Sequence, residues 1–298
     1  MEGTAPRPAS QSVELRAQTR LRERPWHADL FRHKGIVIGG ALLFIILMTA
    51  ILAPVLATHD PGAVRPEVRL SPPGPVHYFG TDNFGRDLYS RTVFGARVSL
   101  LVGGSVALLS GLAGVVFGLL AGYYRRVDTP LMRVMDSLMA FPGIVLAVGI
   151  MAAMGAHVAN VIVALSVVYT PRVVRVVRSV VLTIVNMQYI EAARTIGLAD
   201  RRILFRHILP NCISPLIVQG TFIFSEAVLG EAALSFLGVG TPPYIPSWGI
   251  ILGEARLYIR PAPWMMILPG LALTITVLGL NLMGDGIRDW LDPRLRRI

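Results

Sequence analysis

Long runs without a charged side chain alternate along this sequence with short stretches crowded with them. Residues 35–57 contain no Asp, Glu, Lys or Arg. As a helix at about 1.5 Å per residue they reach roughly 34 Å, enough to cross a hydrocarbon core of about 30 Å. Residues 98–122 are also free of charge, as are residues 137–171. The second of these runs is too long for one helix, and Gly155-Ala-His-Val-Ala-Asn160 offers a turn in its middle. The pattern therefore predicts two helices there, over 131–155 and 158–179. Residues 213–237 are apolar except for Glu226 and Glu231, and residues 264–283 are apolar throughout. The reading is an all-α integral membrane protein with six transmembrane helices (35–57, 98–122, 131–155, 158–179, 213–237, 264–283). Together they form one transmembrane domain, 35–298, behind a basic tail, 1–34. The first apolar run is about twice as long as a signal-peptide core, so it reads as a retained span.

Composition agrees with lipid as the main solvent. Hydrophobic residues make up 53% of the 298 positions, charged residues only 15%, and the mean hydropathy is +0.60. The net charge of +10 would suggest a polyanionic partner in a soluble protein, but in a membrane protein it follows from retention of cations on the cytoplasmic side. With both termini placed inside, 21 of the Lys and Arg residues fall inside and 7 outside. This predicts a multi-pass protein of the cell inner (cytoplasmic) membrane with cytoplasmic termini. The outer loops, 59–94 and 238–263, are rich in Pro, Gly and aromatics and include SPPGP and TPPYIPSW. They read as rigid caps, either docking surfaces or closures of the helix bundle. One cysteine, Cys212, and six scattered histidines give no disulfide and no metal signal. No phosphate-binding Gly-rich loop is present. Neither a catalytic group nor a cofactor is expected.

The most charged inner stretch is YIEAARTIGLADRRILFRHILPN, residues 189–211. Asn186 is placed to cap a helix from Met187, with Gly197 as its left-handed terminator. Tyr189, Ala192, Ala193 and Ile196 share one arc of that helix, opposite Glu191, Arg194 and Thr195. Asp200 then caps a second helix, Arg201–Leu209, and Pro210 marks the return to the membrane. Arg201 and Arg202 in a first turn oppose the macrodipole, which calls for anionic lipid or an acidic partner. A DNA-reading helix pair is excluded by the flanking spans. A hairpin on the bilayer surface would favour Leu, Phe or Trp over alanine, whereas alanines suit close approach of another protein. Arg172, Arg175 and Arg178 repeat every third residue, as in a voltage sensor. Their position after Pro171, at the end of a span, fits snorkelling anchors instead.

EAARTIG followed by ILP resembles the cytoplasmic signature of permease subunits of ATP-binding-cassette importers, with Glu191, Ala192, Ala193, Gly197, Leu209 and Pro210 in register and His207 departing from it. FGTDNFGRDLYSRTVFGARVSL, MRVMDSLMAFPGIVLA, EAALSFLGVGTPPYIPSWG and NLMGDGIRDWLDPR are similar to the DppC and OppC type of dipeptide, oligopeptide and nickel importers. The resemblance covers roughly residues 30–298. It implies a type I ABC importer permease fold and a coupling helix formed by Tyr189, Glu191, Ala192, Ala193, Ile196, Gly197, Leu209 and Pro210. It further implies a homologous second permease of the DppB/OppB type, two ABC ATPase subunits and an extracytoplasmic peptide-binding protein, with membrane lipid around them and no nucleic acid. Thr81, Asp82, Arg86, Asp87 and Trp248 are candidate contacts for the binding protein. Glu226 and Glu231, costly in hydrocarbon, must face protein or water. Glu226 is the better candidate for the pathway, while Glu231 is placed to cap the following loop. A nickel cargo remains open on sequence alone. A stand-alone secondary transporter would show internal repeats, and none is found between the halves.

Overall fold

The computed structural model describes residues 33–291. The basic tail expected over 1–34 lies outside them except for His33 and Lys34, as do Arg294, Arg296 and Arg297. The described residues are almost wholly helical: α1 (Lys34–Ile51), α2 (Ala53–Leu56), α3 (Leu88–Tyr123), α4 (Arg125–Met139), α5 (Gly143–Met154), α6 (Val158–Val185), α7 (Gln188–Thr195), α8 (Asp200–Phe236), α9 (Trp248–Ala255) and α10 (Trp264–Leu291). Five of them, α1, α3, α6, α8 and α10, are long and apolar enough to cross a membrane. The bent pair α4–α5 makes a sixth span if counted as one.

That pair is where the structure departs most from the expected spans. A single helix over 131–155 is replaced by two that meet at 91°. The cause is local: Phe141 precedes Pro142, which disfavours helical φ/ψ at the preceding residue, and Pro142 takes an extended conformation as N-cap of α5. The turn expected at residues 155–160 is present. Gly155 adopts φ 83°, and the Asn160 amide donates to the Met154 and Gly155 carbonyls at 2.8 and 3.0 Å. His157 Nδ1 accepts the Ala159 N–H at 3.2 Å and starts α6.

Other helices outrun their charge-free cores. α3 begins ten residues before the expected 98 because Asp87 caps it, accepting the Ser90 N–H at 2.8 Å. Its 36 residues span about 54 Å, so it projects well beyond a bilayer core. α8 is one continuous rod of 37 residues, not a short helix followed by a separate span. A π-helical turn over Leu204–Ile208, in which the Leu209 N–H reaches the Leu204 carbonyl, carries the helix past Pro210.

Small residues set the packing of the bundle centre. Gly114, Gly118 and Gly122 of α3 face Val173, Val177 and Val181 of α6. A Cβ at Gly118 would lie 2.6 Å from the Val177 Cβ, and one at Gly122 would lie 2.5 Å from the Val181 Cβ. Such a stripe lets two backbones approach where lipid gives no hydrophobic drive for association. α1 packs on α10 in the same way, with Gly39 against the backbone of Gly279 and Met283.

Candidate functional site

α7 stands on a short bridge between α6 and α8. Met187 holds its N-cap position, not Asn186, whose amide instead closes α6 by donating to the Leu182 carbonyl at 2.9 Å. At the other end Gly197 (φ 79°) donates to the Arg194 carbonyl and Leu198 to the Ala193 carbonyl, at 2.9 and 3.0 Å. These are the paired bonds of a glycine-terminated helix, as expected from the sequence. Ile190 is fully buried and Ala193 nearly so, in one core with Val181, Ile184, Ile203 and Cys212. Tyr189 (46%) and Ile196 (75%) are exposed, with Glu191 and Ala192 beside them. The outward face is therefore Tyr189, Ala192 and Ile196 without Ala193, which the wheel had grouped with them. Ile190, absent from the expected set, is the anchor. A wheel gives the angle between side chains but not which arc meets the parent chain.

Two contacts tie this unit to α3. The Tyr123 hydroxyl donates to Asp200 at 2.6 Å, and the Arg194 guanidinium lies 5.2 Å from the Tyr123 ring. Asp200 is thus a partner for Tyr123 in the first turn of α8, and Ala199 holds the N-cap position. Leu209 is partly buried against the core, whereas Pro210 is exposed in a groove with Phe205, Arg201 and Arg202.

α6 carries a ladder of ion pairs. Arg178 binds Asp128 of α4 through two bonds of 2.6 and 2.7 Å, and Arg175 binds Asp136 at 2.7 Å. Arg172 pairs with Glu226 of α8. The three arginines expected to be snorkelling anchors are instead held by carboxylates of two other helices. Arg172 and Glu226 remain 47% and 41% exposed. They border a cavity of about 260 Å³ walled by Phe141, Ile144, Leu165 and Tyr169 at the α4–α5 bend.

Glu231 has a different setting. It is fully buried and accepts from Ser99 at 3.0 Å and from Ser235 at 2.8 Å. Ser235 also accepts the Thr241 N–H at 3.1 Å, and Thr241 contacts Ser247, the N-cap of α9. Glu231 therefore fastens the 238–247 loop to the bundle.

The expected binding-protein contacts are likewise internal. Thr81, Asp82, Arg86, Asp87 and Trp248 are all buried. Arg86 and Arg91 converge on Asp82 and on Glu254 of α9, with separations from 2.6 to 3.4 Å. The Trp248 indole donates to the Thr92 carbonyl at 3.0 Å. These side chains are engaged within their own chain. The exposed aromatic residues of the same loops are Tyr78, Phe84 and Tyr244.

Beside this network sits a group with no counterpart in the sequence reading. His77 Nδ1 lies 2.8 Å and His59 Nδ1 3.7 Å from Asp87 Oδ1. Burial pushes the Asp87 carboxyl up, but hydrogen bonds from Ser90 and His77 and the nearby His59 outweigh it and hold the group below its ordinary value.

Binding-protein-dependent transport system inner membrane components match the chain over residues 114–297, and the N-terminal transmembrane domain of oligopeptide transport permease C matches residues 25–73. The chain is similar to a putative peptide transport system permease protein of Brucella abortus biovar 1, 52% identical over 267 residues and 90% of either chain. It is also similar to a di/tripeptide transport system permease protein of Pseudomonas aeruginosa, 44% identical over 89% of this chain and 90% of that one. Among solved structures, an inward-facing MetNI methionine ABC transporter shares the fold, with a TM-score of 0.51, 22% identity and coverage of 65% of this chain and 95% of that chain.

Proposed function

The chain belongs to the binding-protein-dependent transport system inner membrane components, and from that premise we propose that it is the permease subunit through which an ATP-driven importer moves dipeptides or oligopeptides across the cytoplasmic membrane. Relatives named as peptide permeases over nine-tenths of their length support peptide cargo over nickel. ATP hydrolysis belongs to two separate ATPase subunits, and this chain contributes no catalytic group. A second permease completes the pathway, and a binding protein delivers the peptide to the end of the bundle that carries Tyr78, Phe84 and Tyr244. With six spans, both termini are cytoplasmic.

The observation that carries the coupling role is the division of α7 into two faces. Ile190 and Ala193 are locked into the core, while Tyr189, Ala192 and Ile196 are uncovered. A helix fixed on one side and free on the other transmits a push without absorbing it. When ATP draws the two ATPase subunits together, force on the free face passes through Ile190 to α6 and α8, and through Asp200–Tyr123 to α3. Those helices carry the Gly–Val contact and the Arg172–Glu226 pair, so their rearrangement opens or closes the path between the permeases. Glu191 supplies a charged contact at the rim, and Gly197 fixes the angle at which α7 meets α8.

Glu191→Lys and Ile196→Asp alter exposed side chains only. Reconstituted with the ATPase subunits and the binding protein, each variant is expected to insert normally, lose peptide uptake by tenfold or more (roughly 1.4 kcal/mol per decade) and release the ATPase subunits on co-purification. Full uptake by both would overturn the coupling assignment. Uptake without ATP would overturn the importer reading itself.

A further inference from the structure

We propose that His59, His77 and Asp87 form a binding site for one borderline divalent transition metal ion, of the zinc class, at the end of the bundle opposite α7. The three residues come from separate parts of the chain: the segment after α2, the loop before α3, and the α3 N-cap. One donor atom of each lies within 4.8 Å of the other two. The Nδ1–Oδ1 separations of 2.8 and 3.7 Å bracket the roughly 3.4 Å expected between ligands about 2.0–2.1 Å from a tetrahedral zinc. Two imidazoles and one carboxylate suit zinc, nickel or copper and not the oxygen-seeking magnesium or calcium.

The surrounding bonds leave the donors facing one another. Asp87 directs Oδ2 to the Ser90 N–H at 2.8 Å and to the Thr58 hydroxyl at 3.4 Å, so Oδ1 is turned to the histidines. The His59 N–H is held by Ser90 Oγ at 3.1 Å, and the His77 carbonyl accepts from Gly74 and Gly80, each at 2.9 Å. These bonds, to the backbone N–H of His59 and the backbone carbonyl of His77, fix the main chain that carries the two rings. A single hydrogen bond from His77 would satisfy Oδ1. His59 Nδ1 lies 3.0 Å from the Thr58 hydroxyl as well as 3.7 Å from Oδ1, and its ring stands beside that of His77 with centres 4.7 Å apart and planes tilted by 35°. A bound ion engages both rings without requiring both to be protonated. Three protein ligands leave a fourth position for water. The ion would pin the segment between α2 and α3 onto the α3 N-terminus.

The test uses the full-length chain on a non-histidine tag, stripped of metal by chelator and titrated in detergent with Co²⁺ as a spectroscopic probe, followed by Zn²⁺ in competition. One equivalent of Co²⁺ should produce the visible absorption of a tetrahedral site, and Zn²⁺ should abolish it. Since losing an outer-shell partner alone costs roughly 10–100-fold in affinity, His59→Gln and His77→Gln should each weaken binding by about a hundredfold, while His33→Gln leaves it unchanged. Absence of the band in the unmutated chain overturns the proposal, whatever the stability of the variants. So does a band that survives in both His59→Gln and His77→Gln.

Discussion

Glu231 illustrates what a buried acid does when it meets hydroxyls instead of a cation. Its two oxygens accept from Ser99 on α3 and from Ser235 one turn further along α8. Through Ser235 the contact continues to Thr241 and Ser247. Removing the carboxyl leaves two buried hydroxyls without their acceptor, a loss of about 1–3 kcal/mol per unsatisfied group. Glu231→Leu should therefore lower the thermal midpoint in detergent measurably, whereas Glu231→Gln, which keeps one acceptor oxygen, should recover more than half of the loss. Equal midpoints for Glu231→Leu and the unmutated chain would show that the serine cluster is indifferent to it.

Among the elements, the α3–α6 contact is the tightest and the most open to manipulation. With the Cβ of an alanine at 118 falling 2.6 Å from the Val177 Cβ, the helices must separate or Val177 must move. Overpacking of this kind costs about 1–3 kcal/mol. Gly118→Ala should destabilise by that amount, and combining it with Val177→Gly, which removes the clashing Cβ, should cost less than the two single losses together, because neighbours in contact are not additive. Additive losses in the double variant would place the strain elsewhere. The elements also show where sequence reading stops. Apolar runs revealed the long helices, and Gly155 and Gly197 marked real turns, because these signals are local. The start of α3 was missed because a charge near it is neutralised by a residue far along the chain. The expected span 98–122 stops at Arg97, yet α3 runs back through Arg91, which is buried against Glu254, 163 residues away. The TDNFGRD segment was legible only as part of a family resemblance, and its buried network depends on α9 and cannot be inferred from spacing. Residues 59, 77 and 87 carry no pattern at all until the loop folds.

For the whole molecule, the question is which faces meet lipid. On α1, Phe44 and Ile45 are about three-fifths exposed, with Leu47 close behind, an apolar surface suited to acyl chains. The Arg172–Glu226 pair is also exposed, at 47% and 41%. A single charged residue at the centre of a bilayer costs about 2.5–3.5 kcal/mol on insertion scales, so an exposed pair on spanning helices must face water or another protein. The cavity at the α4–α5 bend opens beside it. Cysteine accessibility distinguishes the two environments. In a Cys212→Ala background, Glu226→Cys should react with a membrane-impermeant charged thiol reagent at least about tenfold faster than Phe44→Cys, consistent with the greater access of water to thiolate. If the pair guards the path, adding ATP and binding protein to the assembled transporter should change the rate at 226 and leave that at 44 unaltered. Equal, slow labelling at both positions under every condition would place Arg172 and Glu226 in a sealed interface and remove them from the pathway.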